Sequence, residues 1–344
     1  MAGPVADGGV NGSPRKRLEG VTVVIPTRNR SDLLRLTLTS VLWQRDVDLH
    51  VVVVDDASTE DVQGLVSGFA DPRVRVVRHD VSKGVSAARN TGLSTASTGW
   101  VAFCDDDDLW SPDKLWRQLN AAESARSHWA YAGSVYVNTD LLVQNGAPPL
   151  PPEAMTAALY RYNPMPAGAS NVVAHVDILK RLGGFDARLT HVPDWDLWVR
   201  LARSGAPAWV PDPLVGYRLH AGNASFRTAE MLAEFDDFER RHGLKADRSR
   251  FHRHLAHLCL RSGRRIEAVR HFLRALMRFR DGYSRIDFAF DGRLIGELAG
   301  EIIRRRSGRP RSKWAAQRLD AARQRDPHAA WKAQAQAWLD DLPR

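Results

Sequence analysis

The chain has 344 residues, 44% hydrophobic and 26% charged, with two cysteines. This is the composition of a soluble globular protein with room for one large domain and a smaller one, and it leaves no basis for a disulfide framework. No run approaches the roughly 18 apolar residues of a membrane span and no signal-type apolar segment opens the chain, so a cytoplasmic location is expected. The net charge of +9 is uneven: residues 241–344 hold 25 Lys and Arg against 11 Asp and Glu, a net of +14, which leaves −5 for residues 1–240.

The opening MAGPVADGGVNGSPRKR is rich in Gly, Pro and small residues without periodicity, and residues 1–19 are expected to be a disordered tail. From Val21 to about Ala122, short apolar runs alternate with amphipathic segments. VTVVIP reads as a strand, and SDLLRLTLTSVLWQ as a helix with Ser31 at its N-cap and Leu34, Leu38, Val41 and Leu42 on one face. LHVVVVDD, RVRVVRH and WVAFC read as three more strands, with TEDVQGLVSGF and SAARNTGLSTA as the helices between them. Strands this apolar, separated by helices, belong to a sheet covered on both faces, an α/β doubly wound arrangement. NGAPPLPPE reads as a Pro-rich loop; VVAHVDILKRLGGFD and VPDWDLWVRLARSG read as helix and loop pieces packed on the sheet, and LVGYRLHAGNAS as a short strand and turn. Beyond Thr228 the chain reads as mainly helical, with Gly263, Ala268, Phe272 and Ala275 at the positions of a tetratricopeptide-like hairpin. Trp195 and Trp198, at helical spacing, read first as core, with sugar stacking by them or by Trp209 as the alternative. Cys104 and Cys259 are expected to be buried thiols.

In such sheets ligands bind outside the carboxyl ends of the strands. Thr27, Arg28 and Asn29 follow the first strand, Asp55 and Asp56 end the second, and Asp105 to Asp108 follow the fourth. An NAD-binding unit would carry G-x-G-x-x-G after its first strand, and PTRNR stands there instead. Four aspartates in a row with no adjacent run of Lys or Arg invite a divalent cation, held by one or two carboxylates and substrate phosphates. The plainer alternative is a solvated acidic loop with Asp113 starting a helix.

VVVVDDAST, SKGVSAARNTG and WVAFCDDDDLWSPDKL, followed by GGFD, PDWDLWVRL and YRLHAGNAS, resemble in order and spacing the family 2 glycosyltransferases across roughly residues 20–226. The resemblance implies a GT-A fold, a Rossmann-like mixed sheet, with a nucleotide-sugar half at about 20–122 and an acceptor half at about 123–227. A basic helical appendix over 228–344 would complete the chain. The implied activity is metal-dependent inverting transfer from a nucleoside-diphosphate sugar, UDP-sugars by default, to a hydroxyl of a glycan, lipid-linked glycan or metabolite.

Carried over by position, Thr27 and Asp56 would contact the nucleoside, with Arg28, Asn29, Asp55, Lys83 and Gly84 beside them. Arg89 would pair with the nucleotide, Asp105 would hold the ribose or help with the metal, and Asp107 would be the direct ligand of Mn²⁺ or Mg²⁺, with Asp106, a further nucleotide-binding candidate, and Asp108 adjacent to it. The run is homopolymeric, so its register stays open by one residue. His220 would be the second metal ligand and Asp194 the general base, with Asp196 the alternative or a partner for Arg200. Pro193 stands where the family carries an acidic residue. Rival readings are a sugar-phosphate nucleotidyltransferase, which would need a Gly-rich loop in place of PTRNR, and a family member that binds nucleotide without turnover. A nucleic-acid-binding protein is a third rival, but the positive charge lies apart from the acidic segment and no nucleic acid is expected as a partner. The basic appendix is instead a candidate for peripheral membrane contact.

Overall fold

The computed structural model describes residues 19–220, 228–261, 264–277 and 326–343. The apolar runs become β1 (Val21–Thr27), β2 (Leu49–Asp55), β3 (Val74–Arg78) and β4 (Trp100–Phe103), and the segments between them α1 (Ser31–Leu42), α2 (Val62–Ser67) and α3 (Val85–Ser94). These four strands are parallel, in the order β3-β2-β1-β4. Alternation along β1 explains why both faces are covered: Val21, Val23 and Ile25 pack with Leu34, Leu38 and Val41 of α1, whereas Val24 packs with Ala88 and Leu93 of α3 on the opposite face. The face of α1 expected from its periodicity is therefore the buried one, although its N-cap is Arg30 and not Ser31. α2 is capped by Asp61, whose carboxylate accepts the Gly64 N–H at 2.8 Å.

The chain then builds the second half of the same sheet. β5 (Leu109–Trp110) and α4 (Lys114–Ala125) lead into β6 (Trp129–Val137), β7 (Val143–Ala147), α5 (Pro152–Leu159), a 3-10 turn (Gly168–Asn171), β8 (Val173–His175) and α6 (Val176–Arg181). α7 (Pro193–Ser204) and β9 (Ala208–Arg218) complete it. β8 inserts antiparallel between β4 and β6, and β9 lies parallel to β6, so the sheet is mixed and the order continues β4-β8-β6-β9-β5. The expected Pro-rich loop is present but shorter, confined to residues 148–151. Asn145 to Ala147 pair with β6, and α5 begins at Pro152, a position whose missing N–H a helix start does not need.

The region after Thr228 divides between two sides of the molecule. Phe235 and Phe238 of α8 (Thr228–His242) pack on Trp195 of α7, while Trp338 and Leu339 of α11 (Ala329–Asp340) join Leu109, Val135 and Val137. α9 (Arg248–Arg261) and α10 (Arg265–Met277) pair as the expected helical hairpin with Ala268 and Ala275 buried; Gly263 lies outside the described residues, as do residues 1–18 of the expected tail. Cys104 and Cys259 are buried free thiols. Trp195 and Trp198 are core residues, and Trp209 packs partly buried against the same cluster. Among the described residues no helix is long and apolar enough to cross a membrane.

Candidate active site

Because β1, β2 and β4 are parallel and in register, their carboxyl ends bring Thr27, Asp55 and the aspartate run to one edge. After β4 the chain turns tightly, the Asp108 N–H donating to the Asp105 carbonyl at 3.1 Å. The turn gives the four carboxylates different surroundings. Asp106 accepts from Thr27 Oγ1 at 2.7 Å and from Arg30 Nη1 at 3.1 Å. Asp107 Oδ2 accepts from the same Arg30 nitrogen at 3.0 Å and lies 3.0 Å from His220 Nε2, just past the end of β9. Asp105 meets Arg89 at 2.5 Å. Asp108 is fully buried; burial first, then the charges of Asp107 and Asp105, hold its carboxyl well above the usual carboxylate range. Burial and Asp107 push Asp106 up to about 6 against the opposing pull of Arg30 and Thr27.

The expectation that the run lacks compensating cations needs correction, because the cations arrive through space. Arg30 and Arg89 take three of the four side chains between them. Arg218, buried at the end of β9, donates to the Asp107 carbonyl, to the Leu33 carbonyl at 2.8 Å and to Thr37 Oγ1 at 2.9 Å, tying the turn to α1. Thr37 Oγ1 in turn donates to the Asp106 carbonyl at 2.9 Å.

Arg89 links this turn to α7. Its guanidinium is 4% exposed, lies over the Phe185 ring, and donates to Asp105 and, at 2.7 Å, to Asp194 Oδ1. Asp194 stands in the first turn of α7 behind Pro193 and also accepts the Ala169 N–H. Gly168, at φ +47°, makes this approach possible, since a Cβ there would sit 2.8 Å from Asp194 Oδ2. Burial raises the Asp194 pKa, with Arg89 opposing. Asp196, two residues on, faces elsewhere: it accepts from Arg200 Nε at 2.9 Å and lies 2.8 Å from His242 Nε2. Of the two roles considered for it, the partnership with Arg200 is the one observed.

Asp55 and Asp56 are both held by the protein. Asp55 pairs with Arg78 and accepts the Ser58 N–H at 2.8 Å. Asp56 accepts from His79 Nδ1 and Ser82 Oγ, each at 2.7 Å, and from the N–H groups of Lys83 and Gly84 at 2.8 and 2.9 Å. Those donors fill about four lone-pair positions. Burial alone would raise its pKa, but the Lys83 N–H, His79, Ser82 and Gly84 outweigh it and bring the carboxyl down to about 2. Gly84, at φ +88°, then opens α3, while the Lys83 and Arg28 side chains are exposed. Asn29 bridges the loops after β1 and β2, its Oδ1 accepting the Thr59 N–H at 2.7 Å and its N–H donating to Ser58 Oγ at 3.0 Å.

Asp107 Oδ2 and His220 Nε2 meet at hydrogen-bond distance, 3.0 Å, so an oxygen and a nitrogen donor stand side by side. Among the described residues no set of three or more His, Cys, Asp or Glu is grouped to hold a metal. The arrangement therefore fits a cation that takes two protein ligands and completes its shell from phosphates and water.

Sequence reasoning missed Arg30, Thr37, Gly168 and Arg218. Arg30 ends the PTRNR stretch and Arg218 sits two residues before His220, so adjacency to residues already singled out was the available signal.

Residues 22–182 match the family model described as glycosyl transferase family 2. The chain is 26% identical over 232 residues to the Escherichia coli UDP-Glc:alpha-D-GlcNAc-diphosphoundecaprenol beta-1,3-glucosyltransferase WfaP, covering 67% of this chain and 89% of that protein. It is 36% identical over 124 residues to the succinoglycan biosynthesis protein ExoO of Rhizobium meliloti (strain 1021), covering 36% of each. Among solved structures it is similar to S. aureus TarS 1-349 in complex with UDP-GlcNAc, with a TM-score of 0.51 and 19% identity, covering 64% of this chain and 72% of that one. The likeness to TarS is one of fold.

Proposed function

The chain carries a family 2 glycosyltransferase domain of the GT-A fold, and from that premise we propose that it transfers a sugar from a UDP-sugar to an acceptor hydroxyl with inversion at the anomeric carbon. The observation that carries this reading is the meeting of Asp107 and His220, 113 residues apart in sequence, 3.0 Å apart at the carboxyl edge of the sheet. The activity that WfaP is named for, glucosyl transfer from UDP-Glc to a lipid-diphosphate-linked GlcNAc, supports a uridine donor and a lipid-linked or polysaccharide acceptor.

In this reading Asp107 and His220 would hold Mn²⁺ or Mg²⁺, which would offset negative charge on the leaving diphosphate. Asp194 takes the proton of the acceptor hydroxyl as that oxygen attacks the face opposite the leaving group; its burial-raised pKa makes it the stronger proton acceptor. Arg89 keeps the Asp194 carboxylate oriented and ties its position to Asp105. Asp56 positions the Ser82–Gly84 loop, and the exposed Arg28 and Lys83 flank the nucleotide. α10 presents Ile266, Val269, Leu273 and Met277 to solvent beside Arg270 and Arg274, which supports peripheral docking on an anionic lipid surface.

The test is transfer of labelled sugar from a panel of UDP-sugars to a lipid-diphosphate-linked GlcNAc acceptor, with product stereochemistry read by NMR. Transfer is expected to stop with EDTA, return with Mn²⁺ and give the inverted anomer. Activity that survives chelation sinks the metal assignment, and a retained anomer sinks the role of Asp194.

A further inference from the structure

We infer that Arg30 is a resident counter-cation of the Asp106–Asp107 pair, one that holds the Asp107 oxygen needed by a divalent cation and gives it up when a nucleoside diphosphate offers its guanidinium another partner. The inference rests on the metal-dependent reading above and adds a residue and a coupling to it.

The geometry sets up a competition. One Arg30 nitrogen reaches Asp106 Oδ1 at 3.1 Å and Asp107 Oδ2 at 3.0 Å, and that same Asp107 oxygen lies 3.0 Å from His220 Nε2. A cation bridging Asp107 and His220 would meet a positive guanidinium on the oxygen it has to share, and like charges at such range repel.

The surroundings favour release of Arg30. Its side chain is 37% exposed, whereas those of Asp106 and Asp107 are 6% and 10% exposed, so the arginine is the solvent-facing member of the three. Its backbone is anchored independently, the Arg30 carbonyl accepting the N–H groups of Leu33 and Leu34 at 3.0 and 2.9 Å as α1 begins. Arg89 and Arg218 are placed differently. Both are buried, Arg89 on Asp105 and Asp194, and Arg218 on carbonyls that hold the turn together.

A diphosphate presents acceptors that suit the guanidinium fork. Metal and nucleotide binding are then coupled through Arg30, and the coupling is reciprocal.

Calorimetric titration of the full-length chain with Mn²⁺ alone, and with UDP in the absence and presence of Mn²⁺, tests this on wild type, Arg30→Gln, Arg30→Lys and Arg35→Gln. Arg35 is an exposed residue of α1 and controls for net charge. Arg30→Gln is expected to bind Mn²⁺ alone about tenfold more tightly than wild type, and the factor by which Mn²⁺ strengthens UDP binding should shrink by about tenfold. Arg30→Lys should keep most of the suppression of metal binding, and Arg35→Gln should match wild type. An Arg30→Gln protein with the wild-type melting temperature, no tighter Mn²⁺ binding and undiminished coupling overturns the inference while leaving the glycosyltransferase reading intact. A wild type that binds neither Mn²⁺ nor UDP removes both.

Discussion

Two acidic stretches lie at the same edge of the sheet and behave in opposite ways. Asp56, beyond β2, is satisfied by two backbone N–H groups, a hydroxyl and an imidazole, and its pKa falls to about 2. In the run after β4, Asp106 rises to about 6 and Asp108 rises further, because burial and neighbouring carboxylates outweigh the donors they find. Position at a strand end does not decide what a carboxylate does; its donors decide. A saturated aspartate braces a loop, whereas in the proposed reading the crowded run held by arginine receives a cation.

The same contrast separates Asp194 from Asp196 within one helical turn, and there the largest effects are expected. Asp194→Asn should lower turnover about a thousandfold in the folded fraction, the scale of a lost general base, with little change in UDP affinity. Asp196→Asn should do the reverse, costing about 3 kcal/mol of stability because Arg200 and His242 lose a buried charged partner. The folded fraction should keep its turnover. Rate assays paired with denaturant melts decide between the two aspartates, and equal loss of turnover in both variants breaks the distinction. The acid limb of the rate profile should also lie above the ordinary aspartate range, because the raised pKa of Asp194 makes the base lose activity as pH falls through it.

A smaller effect sharpens the comparison at Asp56. Its folded pKa is depressed, so its contribution to stability is present above the unfolded value near 4 and is lost as pH falls toward about 2. The depression corresponds to about 2 kcal/mol. Asp56→Asn should therefore lose about that much stability at neutral pH and flatten the acid side of the stability curve between pH 4 and 2, measured by urea melts across pH. A variant as stable as wild type shows that the Ser82–Gly84 loop does not depend on this carboxylate.

The legible part of the fold was the part whose signals are local. β1, β2, β3 and β4 have apolar runs bounded by turns, and the buried stripe of α1 follows from its periodicity. β8 is three residues long and β5 two, and β7 passes through Gly146 toward a cluster of prolines, so their pairing depends on β6 and β9 and not on their own pattern. The site follows the same rule. Asp107, His220, Arg89 and Asp194 stood out through motif resemblance, and the structure brings them into one array. Arg30 and Arg218 contact the aspartate turn across 76 to 112 residues, and locally only their adjacency to Asn29 and His220 marks them. The four donors of Asp56 were hidden as well, since two are backbone N–H groups whose direction depends on the loop conformation.

The central claim is that Asp107 belongs to a cation site that binds the nucleotide diphosphate, and its most direct test is a thermal-shift comparison of wild type with Asp107→Asn, using UDP with and without Mn²⁺. The account predicts that UDP stabilises wild type far more when Mn²⁺ is present, by roughly 2.7 kcal/mol at 100 times the dissociation constant. It also predicts that Asp107→Asn loses this response while melting normally without ligand. Equal UDP stabilisation of both proteins, with or without Mn²⁺, would contradict it.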